Sequence, residues 1–224
     1  MTASATRRHP GLNLDHGDEA AQLQTEELMF GFWIFLMSDL VLFALLFATF
    51  GTLRHALAGG PGPQTLFELG SAAKETALLL ASSFTFGLAT LSMKHEHATG
   101  AVLGWMGLTL LLGAGFLGLE VHDFVSMTDK GGGIDRSAFT AATFALVGTH
   151  GLHVTFGSLW IVVMMIQVGL IGHRRDDSPT HAAGRRKLVD RVHNRMLRLA
   201  LFWHFLDIVW IGIFSFVYLG GLAR

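Results

Sequence analysis

Two pairs of ionisable residues stand in stretches that are otherwise uncharged. His150 and His153 lie in ALVGTHGLHVTFG, Ala145 to Gly157, and His204 and Asp207 lie in LFWHFLDIVW, Leu201 to Trp210. Each pair is spaced three residues apart, so on a helix its members share a face. Imidazoles in apolar surroundings can ligate a haem or copper, carry protons, or hydrogen-bond between helices. Gripping one haem iron from both sides requires histidines on facing helices, and two rings stacked on one helix do not supply that. A structural zinc site would need four ligands, which no cluster here offers. The remaining metal-like arrangement is His150 facing His204 across two helices. Otherwise the four residues His150, His153, His204 and Asp207 read as helix-packing or lipid-contact groups, with His204 and Asp207 forming a local polar pair. Catalytic, cofactor-binding and metal-ligating residues are therefore expected to be none.

Three carboxyls accompany them. Asp39 falls midway along an apolar run and reads either as a proton-relay or regulatory carboxyl or as a neutral acid hydrogen-bonded between helices. Glu75 is placed at the opening of the second apolar run, where a carboxylate complements a helix N-terminus. Glu120 lies inside the third, with His122 and Asp123 close to its outer end.

The elements that must hold these groups follow from composition. Of 224 residues, 51% are hydrophobic and 15% charged, a balance that describes a membrane protein. A net charge of −1 leaves no basic footprint for nucleic acid, and the absence of cysteine excludes disulfides, thiolate metal sites and iron–sulfur clusters. A helix crossing a hydrocarbon core of ~30 Å needs roughly 20 apolar residues. Five runs qualify, at about 30–52, 75–93, 101–124, 138–171 and 199–219. The fourth is too short for two crossings and reads as one long helix. The expected fold is all-α and polytopic, a bundle of five transmembrane helices over 29–221. It follows a polar cytoplasmic segment, 1–28, that carries no cleavable signal peptide. Eight lysines and arginines between Arg174 and Arg198 mark 172–198 as a basic cytoplasmic loop. By alternation the N-terminus is cytoplasmic and the C-terminus outside. Eleven basic residues then lie inside and five outside. Glycines in GAGFLG and at Gly148 and Gly151 suit close helix approach, with Ala114 and Gly118 at small-xxx-small spacing. Trp33, Trp105, Trp160, Trp203, Trp210 and Tyr218 read mostly as interfacial anchors.

GFWIFLMSDLVLFALLFATF, ALVGTHGLHVTFG and LFWHFLDIVWIGIFSFVYLGG resemble subunit III of the haem–copper respiratory oxidases. GGPGPQTLFELGSAAKETALLLASS and GAGFLGLEVHDF resemble the cytochrome bo-type ubiquinol oxidase branch in particular. The likeness runs from about Leu28 to Gly221. It implies that Asp39 stands for the family's membrane-embedded carboxyl, Glu120 for its third-helix acid, and His150, His153, His204 and Asp207 for its signature positions. It also implies an accessory subunit of a proton-pumping terminal ubiquinol oxidase in aerobic respiration, set in the bacterial cytoplasmic (inner) membrane. Haem and copper would belong to the partner, subunit I. This chain would stabilise subunit I, support proton uptake and bind phospholipid. Relative to the seven-helix form of cytochrome c oxidase subunits III, two N-terminal helices are missing, as in the quinol oxidase branch. The rival reading is a self-contained transporter or proton-conducting protein, although neither internal repeats nor broken helices are present. An assembly factor is a third.

Overall fold

The computed structural model describes residues 19–94, 99–173 and 182–222, which are helical apart from short connections and contain no strand. In chain order the helices are α1 (Glu19–Leu53), the single turn α2 (Pro63–Leu66), α3 (Leu69–Lys94), α4 (Thr99–Asp129), α5 (Ala138–His173), α6 (Ala182–Ile213) and the short α7 (Gly220–Leu222). Between α6 and α7 the chain widens into a π-helical turn, Phe214–Leu219. Five of these helices are long and apolar enough to cross a membrane. The run at 138–171 is one unbroken helix of 36 residues, as its length required.

The helices outrun the apolar stretches, because a helix need not end where the bilayer does. Basic residues and leucine are good helix formers, so α6 begins at Ala182 and takes up much of the stretch expected to be loop. Between α5 and α6 only 174–181 remain; these residues and 1–18, with Arg7, Arg8, Arg174 and Arg175, lie outside the described residues. Likewise α3 begins at Leu69, which puts Glu75 well inside the helix rather than at its N-terminus.

Packing follows period. Along α6 and into the π-helical turn, Val192, Met196, Leu199, Trp203, Leu206, Trp210, Ile213 and Val217 are all buried, at alternating spacings of four and three. This seam lies against α5 and α3, while α3 and α4 form the most extensive helix pair. In contrast, α1 is peripheral: it packs on α5 and α6, and among its described side chains buries only the narrow stripe Leu36, Asp39, Phe43 and Phe50. At the start of α5, the Thr140 amide donates to Ser137 Oγ (3.1 Å) and the Ser137 amide to Thr140 Oγ1 (3.2 Å), a reciprocal N-terminal cap. The α4 end is turned by Gly131 at φ +80°, a conformation that favours glycine.

Trp203 and Trp210, each 1% exposed, occupy the centre of the bundle instead of an interface. Their N–H groups explain how: Trp203 donates to Ser82 Oγ and Trp210 to Thr76 Oγ1, both at 3.0 Å, so α3 hydroxyls receive the polar handles of α6. Tyr218 is buried beside them. The glycines are used individually. Gly113 and Gly157 make room for the Trp203 ring and Gly148 faces Phe124, whereas Ala114 and Gly118 point outward.

Candidate functional site

Asp39 is midway along the first span, within the one buried stripe of α1, and its Oδ2 lies 3.6 Å from His153 Nε2 on α5. His153 Nδ1 is 2.7 Å from the Thr149 carbonyl. A carbonyl only accepts, so Nδ1 carries a proton and Nε2 is left to face the carboxyl. One proton can then be held on the Asp39–His153 axis, on either partner. Phe43, with its ring centroid 5.2 Å from that of His153, screens the pair from one side.

A second polar group is enclosed in the core. His150 is wholly buried among the rings of Trp210 (5.3 Å), Phe116 (5.7 Å) and Phe43 (6.4 Å), and neither ring nitrogen has a hydrogen-bond partner among the described residues. The Glu120 carboxyl lies directly over Gly151, where any Cβ would collide with it. Gly151 is therefore the seat of an acid, not simply a point of helix approach. Glu75, also fully buried, has both oxygens unpartnered among the described residues and is within electrostatic reach of Glu120 and Asp123. Asp123 accepts from Ser71 Oγ at 2.7 Å.

The third group faces outward. His204 Nδ1 is 2.6 Å from Ser83 Oγ on α3 and 3.6 Å from Asp207 Oδ2, one turn further along α6. Asp207 is buried, yet the His204 side chain is 48% exposed.

Thus the structure brings His153 to Asp39 and His204 to Asp207, and separates His150 from both pairs. His150 does not face His204 across α5 and α6, since one is in the core and the other on the surface. No three His, Asp or Glu residues converge as a metal site among the described residues. What sequence reasoning missed were the small partners Thr76, Ser82, Ser83 and Thr149. Isolated hydroxyls in apolar helices are a usable signal for interhelical bonds.

No family model matches the chain. It is 46% identical over 206 residues to the cytochrome bo(3) ubiquinol oxidase subunit 3 of Pseudomonas aeruginosa, covering 92% of this chain and 91% of that one. Over 214 residues it is 42% identical to the quinol oxidase subunit 3 of Bacillus subtilis, covering 93% and 97%. This chain belongs to the subunit III family of the haem–copper respiratory oxidases. It is an accessory subunit of an oxidoreductase complex and a multi-pass membrane protein. A cytochrome c oxidase subunit 3, also of Bacillus subtilis, is 40% identical over 92% of both chains. The shorter length is therefore not a mark of the quinol oxidases alone.

Proposed function

We propose that this chain is subunit III of a cytochrome bo-type ubiquinol oxidase in the bacterial cytoplasmic membrane, with its N-terminus inside and its C-terminus outside. It packs against subunit I, which holds the haem and copper, and is itself non-catalytic. The observation that carries this reading is the match at 46% identity along nearly the whole of both chains.

The geometry supports a proton-linked role for Asp39. A carboxyl at mid-membrane, next to an imidazole whose tautomer is fixed by Thr149, can accept, hold and return one proton without any electron acceptor. Glu75 and Glu120 act as buried structural acids apart from that pair, and His150 as a packing group. Phospholipid binding is supported at the end of α1. There a cavity of about 360 Å³ places the Arg54 guanidinium beside Phe50, Phe139 and Phe216, the chemistry of an anionic headgroup above an acyl chain.

Affinity purification of the tagged chain from its native membrane tests the reading. A haem-containing large subunit should co-isolate in a fixed ratio, along with quinol-dependent oxygen consumption. A haem-free protein with transport activity of its own would support the rival transporter instead.

A further inference from the structure

Besides its buried seam, α6 carries a second one. Leu197, Leu201, His204, Ile208 and Ile211 are spaced four, three, four and three, the pattern of a helix prepared to meet another helix. This seam points away from the bundle: Leu197 is 37% exposed, Ile208 68% and Ile211 46%, with Leu201 partly covered. Leu80 of α3, one turn before Ser83, extends the apolar surface beside it.

His204 is the single polar position on this seam, and it lies midway along the span Arg191–Leu219. Among the described residues it is the one ionisable side chain more than a third exposed in the middle of a span. From there the nearest membrane surface is ~15 Å away, too far for an imidazole to reach. Ser83 also fixes Nδ1. If Ser83 donates, Nε2 bears a proton and needs an acceptor; if Nδ1 donates, Nε2 needs a donor. Either way a hydrogen-bonding edge is aimed outward at a depth where acyl chains offer nothing. The exposed middle of α1 differs: it is apolar apart from Ser38, whose hydroxyl donates to the Phe35 carbonyl of its own helix (2.7 Å), so this surface suits acyl chains equally well.

We infer that the outer seam of α6 receives a transmembrane helix of another oxidase subunit, with a hydroxyl, amide or carboxyl of that helix opposite His204. One polar residue in an apolar seam fixes register and partner, since every other alignment leaves it unpaired. The inference rests on the subunit reading above and adds the surface and the chemistry of its partner.

The test uses the intact complex, isolated through a tag on this chain, with benzoylphenylalanine at position 208 and mass spectrometry after irradiation. The expected product joins this chain to a membrane segment of another oxidase subunit. If the complex isolates whole but the adducts are only lipid, the seam faces the bilayer and the inference fails while the subunit reading stands. If no oxidase subunit co-isolates, both fail. In parallel, His204→Leu should lower retention in detergent by roughly threefold, the scale of one membrane hydrogen bond. Ser83→Ala should lower it less and His204→Gln should restore it. Retention of His204→Leu equal to the parent would overturn the polar match.

Discussion

Asp39 and His153 illustrate what one residue pair can do without a redox centre. In the proposed role, their single-proton axis lets Asp39 influence proton-linked steps while electrons travel through the partner subunit. Asp39→Asn should therefore leave the initial rate of oxygen reduction largely intact and shorten sustained turnover, as followed with an oxygen electrode over successive substrate additions. Complete loss of the initial rate in a fully assembled complex would contradict this. Gly151 gives a second test at the same scale. Because a Cβ there would meet the Glu120 carboxyl and the carboxyl carbon at 2.7 Å, Gly151→Ala should destabilise by about 1–3 kcal/mol, the usual cost of overpacking. Gly118→Ala, with nothing within 4 Å, should be neutral. Thermal unfolding of the two variants checks the difference. The sequence made the acids and histidines visible as ionisable groups in apolar runs. Their partners were hidden, since Thr149 acts through its backbone and Gly151 through lacking a side chain.

Among the elements, the five crossings were legible because length and apolarity decide them. Their ends were not: hydropathy records the bilayer, while helix propensity carries α3 back to Leu69 and α6 back to Ala182. That displacement is why Glu75 proved to be a core acid rather than a helix-terminal one. Trp203 and Trp210 were misplaced because tryptophans occur at interfaces and in cores alike, and only a nearby hydroxyl distinguishes the two. Outside the spans, Lys130 Nζ donates to Glu68 Oε1 at 2.7 Å, tying the α3 entrance to the α4 exit. This bond holds the Glu68 carboxyl below its ordinary range. A depressed carboxylate favours the folded state above its unfolded pKa, near 4.3, and ceases to as pH falls through the lower folded value. Glu68→Gln should thus lower the thermal midpoint slightly at pH 7, and the difference should fade as pH falls through the lowered folded value, as read by a pH series of melting curves.

For the whole molecule, the arrangement is that of a part rather than a self-sufficient machine. Its core is filled by aromatic rings, its ionisable groups are dispersed among three sites, and one seam with a polar centre faces outward. Fold class was readable from the sequence, and family from its motifs. The outward seam of α6, proposed to face a partner, emerged only when burial separated the two seams of that helix. We propose that this chain supports a catalytic partner without contributing a redox centre. Stripping it from the purified oxidase with detergent, then measuring haem and copper content together with oxygen consumption over time, tests that most directly. Haem and copper content should be unchanged, with a near-normal initial rate that decays sooner than in the intact complex. Loss of a stoichiometric haem or copper with the stripped chain would contradict it.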